Sequence, residues 1–189
     1  MRTQAWPVRH GATEWSVAGR HTGRTDLPLT SEGEDQARRL GERLAGRRFA
    51  LVLVSPLTRA RRTCELAGYG AVAQVDGDLA EFDYGDYEGL TSAQIRESEP
   101  GWTIWTGTCP RGETLGEVAA RADRVIERVR AVGSGDVALF AHGHVLRILA
   151  ARWCDLDATE GRRFSLDPAT WSVLGWEHDD PTVRTWNAP

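Results

Sequence analysis

The sequence predicts an α/β protein, a three-layer α/β/α sandwich around a mostly parallel central sheet. Three observations carry that prediction. Leu51-Val52-Leu53-Val54 and Val137-Ala138-Leu139-Phe140-Ala141 are short, unbroken apolar runs, as expected of strands buried on both faces. Other segments place apolar residues at helical spacing. The two kinds of segment alternate along the chain, as helical crossovers between parallel strands require.

Taken in order, the first strand is Ala5-Trp6-Pro7-Val8, ending at Arg9-His10-Gly11. Residues 11–29 read as a long polar loop punctuated by Gly19, Gly23 and Pro28, and loops of that length inside a compact domain are usually functional. A helix begins near Thr30 or Ser31, with Ser31 and Glu34 at capping-box spacing. It turns Ala37, Leu40, Gly41 and Leu44 inward and Arg38, Arg39, Glu42 and Arg43 outward. The Leu51–Val54 strand stops at Ser55-Pro56, and a helix follows over 57–67. A short strand is expected over 71–75. Residues 79–112 are irregular and rich in Gly, Trp and acidic residues, with a short helix near 92–98. Thr114 and Glu117 form a clearer capping box, and Val118, Ala122, Val125, Ile126 and Val129 line one face of the helix they open. After the Val137–Ala141 strand, helix resumes over 144–153. Residues 170–176 and 183–186 are late strands suited to antiparallel edges. No repeat, low-complexity tract or linker divides the 189 residues, so 1–189 is expected to be a single domain.

Composition narrows the function. The chain is 41% hydrophobic and 26% charged with a net charge of -4, the profile of a soluble protein that bulk electrostatics do not draw to nucleic acid or anionic lipid. No apolar run approaches the ~20 residues of a membrane span, and His10 lies too near the start for a cleaved signal peptide. Cys64, Cys109 and Cys154 are odd in number and widely spaced, which argues against a disulfide framework or structural zinc and for a reducing, cytoplasmic setting. All 23 basic residues are arginine. Any phosphate site must therefore use guanidinium, whose planar fork suits oxyanions, and a lysine Schiff base is excluded.

Two strands end alike, one in Arg9-His10-Gly11 and one in His142-Gly143-His144, while the strand ending at Ser55-Pro56 leads into Thr58-Arg59 at a helix start. If these three strands are parallel neighbours, two histidines and two arginines converge at one sheet edge, where open α/β sheets bind ligands. Helix N-termini there add backbone N–H groups for an anion.

Five ordered motifs then resemble the histidine phosphatase superfamily, the phosphoglycerate mutase-like family, over nearly the whole chain. Arg9-His10-Gly11-Ala12-Thr13 resembles its RHGxT opening. Gly19-Arg20-His21-Thr22-Gly23, then Thr25-Asp26-Leu27-Pro28-Leu29-Thr30 and Gly33, resemble its G-R-x-x-G…D-x-P-L-T-x-x-G segment. Ser55-Pro56-Leu57-Thr58-Arg59-Ala60 with Thr63 resembles SxLxRAxxT. Leu79-Ala80-Glu81-Phe82-Asp83-Tyr84-Gly85, running to Glu88-Gly89, resembles L-x-E-x-x-x-G-x-x-E-G, and His142-Gly143 the second HG.

The resemblance implies a phosphoglycerate mutase-like fold and a phosphomonoesterase acting on small phosphorylated metabolites, sugar phosphates or phospho-acids. His10 would attack phosphorus as a neutral imidazole. Arg9, Arg59 and His142, with up to three positive charges, would stabilise the transferring phosphoryl group. Glu81 would be the general acid and then the base, with Asp83 as the alternative in the same acidic loop. That role needs a carboxyl whose protonated form is favoured, most simply by desolvation. Ser16, His21, Thr22, Gly23 and Gly143 are the expected substrate contacts. Ser16 departs from the asparagine common at that position, and a serine reaches less far. His144 and Arg147 read as structural or as outer members of the site, His178 as surface, and Trp102 and Trp105 as packing or, alternatively, as the lining of a substrate mouth. The stretch 15–23 most resembles the acid phosphatase and sugar-bisphosphatase branch. No metal or cofactor is expected, and a homodimer is left open. Phosphoryl transfer of the mutase type and a catalytically silent binding member are the alternatives. The short cover over 89–114 favours hydrolysis over transfer, because water enters more easily.

Overall fold

A computed structural model describes residues 2–189. Its centre is one six-stranded sheet, β1 (Ala5–Arg9), β2 (Leu51–Val54), β3 (Ala73–Val75), β4 (Val137–Ala141), β5 (Trp171–Glu177) and β6 (Asp180–Ala188), in the spatial order β3-β2-β4-β1-β5-β6. The pairs β3–β2, β2–β4 and β4–β1 are parallel, while β5 runs antiparallel to β1 and β6 antiparallel to β5. β5 is thus an interior strand, and of the two late strands β6 alone lies at an edge, β3 forming the other. The three strands expected to be neighbours are neighbours, with Arg9 opposite Ala141 and Val54 opposite Phe140.

Six helices accompany the sheet: α1 (Glu14–Val17), α2 (Ser31–Arg43), α3 (Thr58–Leu66), α4 (Ser92–Ser98), α5 (Leu115–Ala131) and α6 (Gly143–Trp153). Alternation along β4 divides the core into two layers, because successive strand side chains point to opposite faces. Val137, Leu139 and Ala141 pack with Val118, Ala122, Val125 and Val129 of α5 and Val145, Ile148 and Leu149 of α6. Ala138 and Phe140 pack with Leu40 of α2 and Ala60 and Cys64 of α3. Each fully buried Val or Leu contributes about 1.5–3 kcal/mol. Continuous apolar runs in β2 and β4 are therefore what a sheet covered on both faces demands.

Several expectations change in detail. The polar stretch 11–29 contains α1, capped by Thr13, whose hydroxyl accepts the Ser16 N–H while the Ser16 hydroxyl accepts the Thr13 N–H. The cap of α2 is Thr30, which accepts from Gly33 N–H at 3.0 Å; Ser31 lies inside the helix, and Glu34 pairs with Arg38 and Arg62 instead. The capping box at Thr114 and Glu117 is present at the start of α5. Trp102 is buried and its indole N–H donates to Thr108 O, so it packs the core of the 79–112 region and is not on the wall of the cavity at His10. Among the described residues no helix is long and apolar enough to cross a membrane.

Candidate active site

The motifs meet at the carboxyl ends of β1, β2 and β4. Gly11 is needed there because the chain leaving β1 crosses the start of α2 backbone to backbone. A Cβ on Gly11 would fall 2.3 Å from Gly33 O, and one on Gly33 would fall 2.1 Å from Ala12 O. Thr63 ties α3 to the same crossing, its hydroxyl accepting Gly11 N–H at 3.1 Å while donating to Arg59 O at 2.8 Å.

His10 is buried, and its Nδ1 lies 2.7 Å from Gly11 O. A carbonyl only accepts, so Nδ1 carries the proton and Nε2 keeps its lone pair. Burial first, then the charges of Arg9 and Arg59, hold the His10 pKa well below the ordinary histidine value, so the ring is neutral. Arg9, next in the chain, donates Nη1 to Leu166 O, and its buried Nε has no partner among the described residues.

Arg59 and His142 stand immediately behind His10, whose ring centroid is 5.1 Å from that of His142. Arg59 is wholly buried and donates Nε to His142 Nδ1 at 3.1 Å, Nη1 to Thr25 O at 3.0 Å, and Nη2 to Thr22 O and Gly23 O at 3.0 and 2.9 Å. Because Arg59 only donates, His142 Nδ1 is bare, and Nε2 is the nitrogen that bonds Ser55 Oγ at 2.7 Å. Burial, then Arg59 and His10, push the His142 pKa well below the ordinary range. His142 is therefore neutral here, and the expected third positive charge is absent. The charge beside His10 comes from Arg9 and Arg59.

Glu81 is buried at the N-terminus of α6, where the helix dipole and free N–H groups favour an anion. Its carboxylate accepts from His144 N–H at 3.0 Å, Val145 N–H at 2.9 Å and Phe82 N–H at 2.9 Å. Desolvation alone does not describe this carboxyl, because three donors compensate its burial. Asp83 is turned away and pairs with Arg24 at 2.5 Å.

A cavity of about 230 Å³ opens in front of these groups, walled by Arg9, His10, Ser16, His21, Thr22 and Glu81 together with Arg20, Tyr84, Gly143, His144, Arg147 and Leu166. Gly143 sits between the two reactive sides, since a Cβ there would rest 3.5 Å from Arg9 Cζ and 3.8 Å from Glu81 Oε2. The Ser16 hydroxyl reaches the wall but is spent on Thr13, donating to its carbonyl at 2.9 Å. Gly23 is not on the wall. Its N–H donates to Glu88 at 2.7 Å, its carbonyl accepts from Arg59, and a Cβ would meet Phe82 O at 2.5 Å. Glu88 also accepts the N–H groups of Thr25 and Arg24, so the loop is held by its amides on one side and its carbonyls on the other.

His144 and Arg147 face the cavity, which favours the outer-site role of the two expected of them. Tyr84 Oη and His144 Nδ1 are hydrogen-bonded at 2.6 Å. Burial, then Glu81, raises the Tyr84 pKa well above the ordinary range, whereas burial, then Arg147, lowers that of His144. The His21 pKa falls to about 4 through burial and then Arg96, and its Nε2 bonds Ser92 Oγ at 3.1 Å. Arg147 lies over the Trp105 ring, 4.6 Å from its centroid, and donates to Gly161 O and Arg162 O. Trp105 thus supports the outer wall from behind. Arg147 stands one helical turn after His144, the spacing that puts both side chains on the cavity side of α6.

The sequence profile of the histidine phosphatase superfamily (branch 1) matches residues 6–189. The chain belongs to that family. It is 44% identical over 174 residues to an acid phosphatase of Mycobacterium tuberculosis, covering 90% of this chain and 85% of the relative. A sedoheptulose 1,7-bisphosphatase of Saccharomyces cerevisiae is 38% identical over 180 residues, covering 79% of this chain and 66% of the yeast protein. The solved structure of a Mycobacterium tuberculosis open reading frame superposes with a TM-score of 0.93 at 39% identity, covering 100% of this chain and 98% of the other. That overlap extends to the mixed sheet and its flanking helices, the phosphoglycerate mutase-like architecture.

Proposed function

We propose that this histidine phosphatase hydrolyses small phosphomonoesters through a phosphohistidine formed on His10, with Glu81 moving the proton. The observation that carries the reading is the tautomer of His10. With Nδ1–H fixed on Gly11 O, the Nε2 lone pair is the free one, in a cavity wall shared with Arg9 and Glu81. The buried Nε–H of Arg9, which has no partner among the described residues, is a donor suited to a phosphoryl oxygen.

In the first step a P–N bond forms at His10 Nε2 and the P–O bond to the alcohol breaks, while Glu81, whose protonated form the like charge of the bound phosphate dianion favours against its three N–H donors, gives its proton to the departing oxygen. In the second, Glu81 accepts a proton from water as that water attacks phosphorus, and His10 leaves. Arg9, with Arg59 behind it, supplies fixed positive charge to the equatorial oxygens in both steps. Arg20, His21, His144 and Arg147 line the outer cavity and suit an oxygen-rich alcohol such as a sugar or sugar acid. Water reaches the open cavity, which favours hydrolysis over transfer to a second substrate.

His10→Ala is expected to abolish hydrolysis of p-nitrophenyl phosphate, and wild-type enzyme quenched in alkali during turnover should carry phosphate on the peptide holding His10. Turnover that survives His10→Ala overturns the assignment. Acid–base assistance is worth about 10²–10⁴-fold, so Glu81→Ala should cripple turnover of alkyl phosphates without abolishing it.

A further inference from the structure

Glu81 lies in irregular backbone. After β3 and a single 3₁₀ turn (Gly77–Leu79), the chain from Ala80 to Tyr84 pairs with no strand and belongs to no helix. Something else must hold a carboxyl that is to reach one particular oxygen. Arg121 of α5 occupies that position: it is only 7% exposed and is not part of the cavity wall.

A guanidinium has five N–H donors, and Arg121 uses every one. Nε donates to Glu113 Oε1 at 2.9 Å, and Nη1 donates to Asp78 O and Ala80 O at 2.8 and 2.6 Å. Nη2 donates to Glu81 O at 3.0 Å and to Glu113 Oε2 at 2.9 Å. Glu113 extends the hold, because Oε2 accepts Asp83 N–H at 3.0 Å while Glu113 N–H donates to Asp83 O at 2.9 Å. One buried ion pair thus fixes the carbonyls of Asp78, Ala80 and Glu81 and both backbone groups of Asp83. Further along α5, Arg124 pairs with Asp78, and Arg128 with Asp76 and Asp78.

We propose that Arg121, clamped by Glu113, is the positioning residue that sets Glu81 for proton transfer. The backbone of Glu81 is gripped by Arg121 on one side, and its carboxylate is gripped by the N-terminus of α6 on the other. Between them the carboxyl has little freedom to drift from the bridging oxygen. A misplacement of about 1 Å costs on the order of 10²-fold in rate. Lysine cannot substitute, because its three tetrahedral donors cannot serve five coplanar acceptors.

The proposal rests on Glu81 being the proton donor, and the test separates the two claims. An alkoxide needs the proton to leave, whereas p-nitrophenolate is a weak base and leaves without it. The experiment measures kcat/KM for glycerol phosphate and for p-nitrophenyl phosphate in the wild type, Glu81→Ala, Arg121→Lys and Glu113→Gln. Arg121→Lys is expected to lose about 10–100-fold on glycerol phosphate while staying near wild type on p-nitrophenyl phosphate. Glu113→Gln should shift the ratio in the same direction by less. Equal losses on both substrates, or no loss on glycerol phosphate, in these two variants would overturn the positioning role. Should Arg121→Lys lose its native fold, Glu113→Gln alone decides. Equal losses in Glu81→Ala would instead remove Glu81 as the acid, and the proposal with it.

Discussion

Acidification should unfold this protein over a window set by its buried histidines. His10, His142 and His144 are each held well below the ordinary histidine pKa, burial being the largest cause in all three. Arg9 and Arg59 add to the effect at His10, Arg59 at His142 and Arg147 at His144. In the unfolded chain the same groups titrate near 6.5. Below that pH the unfolded chain binds protons that the folded protein refuses, so stability falls as pH falls. One such histidine costs about 1.4 kcal/mol at a pH one unit below 6.5, so the three together cost about 4 kcal/mol there. His21, whose pKa is lowered to about 4, loses stability in the same direction. Against a total of about 5–15 kcal/mol this is a large share. Urea melts followed by tryptophan fluorescence, at about pH 7.5, 6.5 and 5.5, should give a midpoint that drops chiefly across the last interval. Asp78, whose pKa is lowered chiefly by its bond to Arg124, contributes only in the carboxylate range, well below this window. A midpoint that holds or rises between 6.5 and 5.5 would refute the neutral assignments of His10 and His142 on which the chemistry rests.

Glu88→Gln removes the charge that accepts Gly23, Arg24 and Thr25 N–H. Hydrogen bonds to charged groups contribute about 1.5–3 kcal/mol, so thermal melts should show a loss of that order and steady-state kinetics a raised KM as the Thr22 loop loosens. Gly33→Ala places a Cβ 2.1 Å from Ala12 O; the crossing beneath His10 must shift, with about 1–3 kcal/mol lost in urea melts and a larger proportional loss of kcat. Arg147→Ala withdraws a guanidinium from the outer wall and uncovers Trp105. It should raise KM more for a sugar bisphosphate than for p-nitrophenyl phosphate, and an equal change on both would show that Arg147 does not read the alcohol portion.

What the sequence revealed follows from where each element sits. β1, β2 and β4 are covered on both faces, so their residues had to be apolar in unbroken runs, and the motifs at their ends could be placed. α1 escaped notice because a four-residue helix with no buried residue carries no periodic signal; only its cap at Thr13 and Ser16 marks it. The start of α2 was ambiguous because Thr30 and Ser31 are both good caps, and the contact with Gly33 N–H decides for Thr30. Arg121 was illegible because it occupies a helix position that reads as solvated and is covered by irregular chain from elsewhere, the 78–83 segment. Arg147 was legible as structural or as an outer member of the site, but the 161–162 segment that lies across it was not. Periodicity within a helix says which face is apolar but not what non-regular chain will lie across the other.

The neutral state of His142 bears on how the site divides its work. Arg9, Arg20, Arg59 and Arg147 all surround His10 and its cavity, and among the described residues none of the four forms an ion pair with a carboxylate. Elsewhere the chain does the opposite, joining Arg121, Arg124, Arg128 and Arg152 to acids. Leaving buried guanidiniums without a counterion is unfavourable in isolation, and backbone carbonyls make up only part of the difference at Arg9 and Arg59. In the proposed mechanism a dianionic phosphoryl group is the counterion that completes Arg9 and Arg59. A protonated His10 or His142 beside those arginines would add like charge to a desolvated pocket, so the same electrostatics that attract the phosphate also keep the nucleophile unprotonated. Charge and nucleophilicity are therefore linked at this site: burial is the larger cause of the neutral His10, and the guanidiniums of Arg9 and Arg59 that would hold the phosphate reinforce it.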